Sequence, residues 1–248
     1  AAIARSLTVR DLLREVTQAP RHTAGERAHA GESLPRWLRD GQTAAERAGA
    51  AGLHGLVRVL ARTLFRLRVD GVAYLPAHGP AVIAANHLSD LDVIVLAAAL
   101  PARYRPLVAW GADRERLFTT RSGRLLARLA NLFPVDDRAP RSSIDTAIRV
   151  LGTGRILIWF PEEFRSPDGS LQAFKAGIGH VVAATGAPVV PCAITGTDAA
   201  MPRRARWPRP AATRVRFGAP VAAADLGREP ERIAAALRTR VAGLLDRG

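Results

Sequence analysis

Apolar positions follow two different periods along most of the chain. From Thr43 to Leu67 they recur at helical spacing: Leu53, Leu56, Val57, Leu60 and Leu64 share one face, and Arg58, Arg62 and Arg66 lie opposite. The spacing predicts a basic amphipathic helix that either packs on a core or lies on an anionic membrane surface. Short strand-like runs then alternate with helix-like ones. FRLRVDG, AVIAA, PLVAW, LFPV, RILIWF, PVVPCAI and TRVRFG read as strands. Helices are predicted from Ser89 to about Leu100, near 113–118 and 121–131, from Ser142 or Ser143 to Gly152, from Lys175 to Thr185, and from about Pro230 to Leu245. This alternation predicts an α/β fold: a single layered domain with a central mixed, largely parallel sheet flanked by helices. In such sheets sites collect at the carboxyl ends of strands, which directs attention to the loops after Ala85 and Phe160.

Residues 1–50 differ from the rest. LTVRDLLREV predicts a short amphipathic helix, and TQAPRHTAGERAHAGESLPRW, polar and weakly periodic, predicts a linker. The expected organisation is therefore an N-terminal helical leader over 1–50 and the main domain over 51–248.

Composition narrows the partners. At 48% hydrophobic, 248 residues can bury a sizeable core. Cys192 is the single cysteine, so no internal disulfide can form, which suits a reducing compartment. The formal net charge of +14 favours nucleic acid, anionic lipid surfaces or phosphorylated substrates. Aromatic residues make up only 5% and do not interleave with basic ones, so no base-stacking platform, and no specific nucleic acid partner, is expected. No run approaches ~20 apolar residues, so no spanning helix is expected. The start of the chain shows no secretory pattern.

Two loops carry candidate chemistry. In AANHLSDLD, Ser89 is a good N-cap and Asp92 its partner three residues later, so the stretch can be simply a helix start. The same junction can also aim His87 and Asp92 together. A carboxylate on one ring nitrogen sets the tautomer and leaves the other as a general base for a hydroxyl. A metal site would need further ligands, which are not nearby in sequence. The second loop, WFPEEFRSPDGSLQAFKAG, sets Glu162, Glu163, Arg165, Ser166, Asp168 and Lys175 beside a strongly apolar strand. Arg165 can fork two hydrogen bonds to a phosphate, and Lys175, the single lysine, adds a point charge near a helix start. SPDG alone reads as a type I turn.

These residues resemble a family. NHLSDLD resembles the Asn-His-x-x-x-x-Asp block of the PlsC-like glycerolipid acyltransferases. LFPVDDR resembles the intermediate block that ends in arginine. FPEEFRS, with the Gly169–Gly177 continuation, resembles the Phe-Pro-Glu-Gly-Thr-Arg-Ser block, and APVVPCAI resembles the final block with its central proline. The four occur in the family's order, and the resemblance covers roughly residues 55–220. It implies that His87 deprotonates an acceptor hydroxyl, with Asp92 orienting it, and that this oxygen attacks an acyl thioester. Glu162, Arg165 and Arg138 would hold a glycerol-phosphate group, and Pro191 would shape an acyl channel. Asn86, Phe160, Pro161, Ser166, Lys175 and Gly177 would complete the substrate site. No metal or bound cofactor is implied. Acyl-CoA or an acyl-carrier protein would be the co-substrate, a lysophospholipid or lysophosphatidic acid-like molecule the acceptor, and an anionic membrane surface a partner. The resemblance thus implies a cytoplasmic protein held peripherally at the inner face of the cell membrane.

One departure stands out: Glu163-Phe164 replaces Gly-Thr. Glutamate removes backbone freedom and adds negative charge beside the phosphate position, opening the site to a bulkier or less anionic acceptor. Phe164 would alternatively line an apolar channel. LTVRDLLREV is also similar to the last helix of acyl-carrier-like domains, which would make this chain part of a larger acyl-activating protein. An ordinary leader helix accounts for it equally. A non-catalytic, anionic-membrane-binding or degenerate acyltransferase module remains the alternative function.

Overall fold

The structure is a computed structural model that describes residues 33–136, 138–203, 205 and 207–246. The LTVRDLLREV segment lies outside the described residues. Seven strands form one sheet: β1 (Arg68–Asp70), β2 (Ala81–Ala85), β3 (Val108–Asp113), β4 (Leu132–Val135), β5 (Ile156–Trp159), β6 (Val189–Thr195) and β7 (Arg214–Phe217). Their order is β1-β7-β6-β2-β5-β3-β4, with every pair parallel except β6 and β7. This is the mixed, largely parallel sheet that the alternation predicts.

The helices are α1 (Arg36–Arg39), α2 (Ala44–Thr63), α3 (Leu91–Ala99), α4 (Arg114–Leu117), α5 (Arg121–Leu129), α6 (Pro140–Gly152), α7 (Gly177–Thr185), α8 (Thr197–Ala200), α9 (Ala223–Leu226) and α10 (Pro230–Leu245). Side chains alternate across each strand. Ala81, Ile83 and Ala85 of β2 face a core beneath α2, α3 and α5, and Val82 and Ala84 face one beneath α6, α7 and α10. All five are buried, so the run is continuously apolar, as in a central strand covered on both faces.

Several boundaries move for physical reasons. α6 begins at Pro140, whose ring suits a first helical turn, and the Ser143 hydroxyl instead accepts from the Asp136 amide. α7 begins at Gly177, two residues past Lys175. Segment 33–40, inside the expected linker, docks on the domain. The Trp37 indole donates to the Leu132 carbonyl at 3.0 Å, Leu38 is buried, and the Arg155 guanidinium donates to the Trp37 and Leu38 carbonyls. One helical turn is too short to show a period, so nothing in the sequence marked it. α2 starts at a Thr43–Glu46 capping box. Its Val57 and Leu64 pack on the core, while Leu56, Val59 and Leu60 are exposed. Among the described residues no helix is long and apolar enough to cross a membrane.

Candidate active site

β5, β2 and β6 lie side by side and parallel, with Ala84 level with Trp159 on one side and Pro191 on the other. Their carboxyl ends therefore deliver three loops to one place. Asn86 ties two of them together: its amide donates to the Ile194 carbonyl at 2.9 Å and accepts from the Ile194 amide at 2.7 Å. With both ends of its side chain on the β6 backbone, Asn86 is a clamp between strands.

His87 Nδ1 lies 2.8 Å from Asp92 Oδ2. The same oxygen accepts from the Leu88 amide at 2.6 Å and the Ser89 amide at 2.8 Å. The other oxygen, Oδ1, accepts from the Thr197 hydroxyl. Asp92 is fully buried, and this set of donors replaces the water it has lost. The helix starts at Leu91 with Asp90, not Ser89, as its N-cap; the Ser89 hydroxyl accepts from the Leu91 amide and donates to the Met201 carbonyl. The motif is a helix start and a His–Asp pair at once. The His87 ring stacks on Phe160, with centroids 4.5 Å apart and planes 28° from parallel. With Nδ1 on the carboxylate, Nε2 is the ring nitrogen left for a substrate.

The second loop buttresses the first. Glu162 Oε1 accepts from the His87 amide at 2.9 Å and Oε2 from the Gln172 amide at 3.0 Å, while the Ser166 amide donates to the His87 carbonyl at 2.8 Å. Burial pushes the Glu162 carboxyl above its ordinary value, against the lowering effect of those two amide bonds. Glu162 thus sets the loop around His87. Arg165 Nη1 donates to Asp90 Oδ2 at 2.9 Å, and Arg116 Nη1 lies 3.6 Å from Asp90 Oδ1. Two guanidinium groups so gather on one carboxylate, two residues before Asp92.

The structure therefore brings together His87, Asp92, Phe160, Glu162, Arg165 and Ser166. It sets others apart. Arg138 is exposed and paired with Glu115 at 2.7 Å, at the β4 edge of the sheet. That edge is three strand spacings from β2, roughly 14 Å. Pro161 is buried, with its carbonyl accepting from the Lys175 amide; the Lys175 residue itself is exposed. Gly177 sits against Trp159 and Ile144, and Pro191 against Gly218 and Leu244. Both lie on the α6–α7–α10 face, so Pro191 does not line a channel on the other side. Phe164 is exposed rather than lining an apolar passage. Burial pushes the Cys192 thiol up, leaving it a core residue.

Glu163 has φ of 64°, in the left-handed region. That backbone favours glycine and costs a residue with a Cβ. Glu163→Gly is expected to stabilise the fold by about 1 kcal/mol, raising Tm by roughly 2–4 °C in thermal denaturation. An unchanged or lower Tm would count against strain at this turn.

Three residues at the site escaped the sequence reading: Thr197, Asp90 and Arg116. Thr197 follows β6, and the strand-end rule applied to a third strand would have found it. Thr197→Val keeps the shape and leaves Asp92 Oδ1 without its donor. The expected cost is about 2 kcal/mol, a Tm lower by roughly 4–8 °C. A wild-type melting curve would show that the bond contributes nothing.

A cavity of about 280 Å³ lies on the His87 side of the sheet, between α2, α3, α5 and β3. Val57, Val93, Ile94, Ala97, Trp110 and Leu126 are among its apolar lining residues. Leu56, Val59, Leu60 and Leu125 are exposed on the helices that frame it.

Comparison with known proteins follows the same lines. A family model described as Acyltransferase matches residues 66–195. Over 178 residues the chain is 29% identical to 1-acyl-sn-glycerol-3-phosphate acyltransferase alpha of Mus musculus, covering 69% of this chain and 61% of that protein. It is 32% identical over 130 residues to the Homo sapiens protein of that name, covering 51% and 44%. A chloroplastic 1-acyl-sn-glycerol-3-phosphate acyltransferase of Arabidopsis thaliana is 30% identical over 152 residues, covering 56% and 38%. The matches thus span less than two thirds of these relatives' length. The crystal structure of the 1-acyl-sn-glycerophosphate acyltransferase PlsC from Thermotoga maritima has the same fold, with a TM-score of 0.66 at 21% identity over 97% of this chain and 98% of that one.

Proposed function

The chain belongs to the acyltransferase family, and from that premise we propose that it moves a fatty acyl group from an acyl thioester to the hydroxyl of a lysophospholipid. The observation that carries this is the His87–Asp92 pair, with its carboxylate fully buried and bonded by donors from two strand ends. His87 Nε2 takes the proton of the acceptor hydroxyl. The acceptor oxygen bonds to the thioester carbonyl carbon, and the carbon–sulfur bond breaks. The proton then passes from His87 to the leaving thiolate, giving an ester and a free thiol. Asp92 stabilises the imidazolium between the two transfers. The sequence of steps calls on no metal or bound cofactor; acyl-CoA or an acyl-carrier protein is the co-substrate.

The named relatives act on 1-acyl-sn-glycerol-3-phosphate. For this chain we place the acceptor phosphate at Arg165, with Arg116 beside it, and leave Arg138 outside the site. The cavity along α3 is the acyl slot. The test is mass spectrometry of products from labelled acyl thioesters and a panel of lysophospholipids that includes 1-acyl-sn-glycerol-3-phosphate. Ester formed with none of them overturns the reading.

The same face favours a peripheral position on an anionic membrane at its cytoplasmic side. Leu56, Val59, Leu60, Val93, Ile94, Leu125 and Leu126 are exposed, and Arg62, Arg121 and Arg124 lie exposed on the same helices. Leu56→Glu with Leu60→Glu is expected to weaken co-flotation with anionic vesicles about 100-fold, from the apolar burial of two leucines. Unchanged flotation would remove this face from the membrane contact. Salt-sensitive flotation without thioester consumption would instead favour the non-catalytic module.

A further inference from the structure

The slot between α2, α3 and α5 is apolar along most of its length, but one end is not. α3 starts at the carboxyl end of β2 and runs away from the site; α5 runs the same way, and α2 runs back. Val93 and Ile94, next after Asp92, therefore line the end beside the site. Leu100, seven residues beyond Val93 and about 10 Å along the helix, lines the far end with His54 and Arg105. There His54 Nε2 and Arg105 Nε are buried and have no hydrogen-bond partner. Behind the lining, the Asn131 Nδ2 donates to the Arg105 carbonyl at 2.8 Å and braces the Arg105 backbone. Ala130 and Leu132, on either side of Asn131, also line the slot.

Buried polar atoms are nearly always paired, so two unpaired ones on residues lining the far end of an apolar slot point to a ligand group that pairs them. The required chemistry is specific. Arg105 Nε only donates. Burial first, then the charges of Arg58 and Arg105, push His54 below its ordinary value, which favours the neutral ring, able to donate or accept. A group that both accepts and donates satisfies the set, and a hydroxyl does so at the size of a chain end.

Building on the acyl-slot reading, we propose that the slot selects acyl chains carrying a hydroxyl near the far end, held by Arg105 and His54. A plain alkyl chain entering the slot leaves those atoms unpaired and is discriminated against.

The experiment compares octanoyl, decanoyl and dodecanoyl thioesters with their ω-hydroxy counterparts, using one thiol and one acceptor. At the best-fitting length, the hydroxylated thioester is expected to have a kcat/KM at least tenfold higher. His54→Leu and Arg105→Leu, made separately so that one folding failure does not remove the test, are each expected to reduce or reverse that preference. Trp110 lines the same slot, so quenching of tryptophan fluorescence in the His87→Ala variant reads binding without turnover. Equal or better use of the plain chains at every length, with equal quenching, overturns the proposal. If no thioester is consumed, the acyl-transfer reading falls, and the titration alone decides whether the slot prefers a hydroxylated chain.

Discussion

His87→Ala is expected to remove acyl transfer, by a factor on the order of 10²–10⁴ or to below detection, while the protein stays folded. The rate effect follows from the chemistry assigned to the ring. An alcohol is a weak nucleophile until its proton is taken, and His87 is the titratable ring at the strand ends where Asp92, Glu162 and Arg165 meet. The stability effect is small for structural reasons. The ring is partly exposed, and its side-chain contacts are the bond to Asp92 and the stack on Phe160. Asp92 keeps the Leu88 and Ser89 amides and the Thr197 hydroxyl after the ring is gone. Thiol release from the acyl thioester measures the rate, and circular dichroism during heating measures the fold. Transfer within tenfold of wild type in a folded variant sinks the general-base assignment.

Asp92→Asn separates charge from packing at the same site. Oδ2 accepts from three donors, so the asparagine carbonyl has to take that place. Its NH2 then faces the Thr197 hydroxyl, which can rotate to accept instead of donate. One amide N–H and the Thr197 hydroxyl hydrogen are left without an acceptor, so the expected stability cost is about 1–3 kcal/mol. The catalytic loss is large, because nothing is left to stabilise the imidazolium: about 10³–10⁴-fold in kcat. Asp92→Leu makes the contrast. It strands the two amides and the hydroxyl in the interior, at about 1–3 kcal/mol each, which approaches the whole stability of an ordinary domain. The asparagine variant should therefore be folded and inactive, and the leucine variant poorly folded. A poorly folded asparagine variant, or one with near-normal turnover, contradicts the bonding scheme around Asp92.

These effects differ in how much of them the sequence alone could show. The run Ala81–Ala85, the turn after it and Asp92 lie within a dozen residues. The periods of apolar positions and the hydrogen bonding between Ser89 and Asp92 are local, so the strand, the helix start and the His87–Asp92 pairing were legible before any fold was known. The same holds for the layered α/β class and for His87, Glu162 and Arg165 standing at strand ends. The partners of those residues were not legible. Thr197 reaches Asp92 across 105 positions, and Arg165 reaches Asp90 across 75. Arg138 was expected beside Arg165 through the family resemblance, yet β4 is at the sheet edge and β5 is next to β2.

Sequence by itself determined which residue types stand at which strand ends and which chain neighbours share one turn. Those outcomes rest on backbone periods of two and 3.6 residues and on short-range hydrogen bonds. Only the tertiary structure decided that β5, β2 and β6 are neighbours, that Pro191 turns away from the slot, and that His54 and Arg105 line its far end. Strand order and face are settled by burying both sides of the sheet at once, a condition on the whole chain that no local stretch of sequence carries.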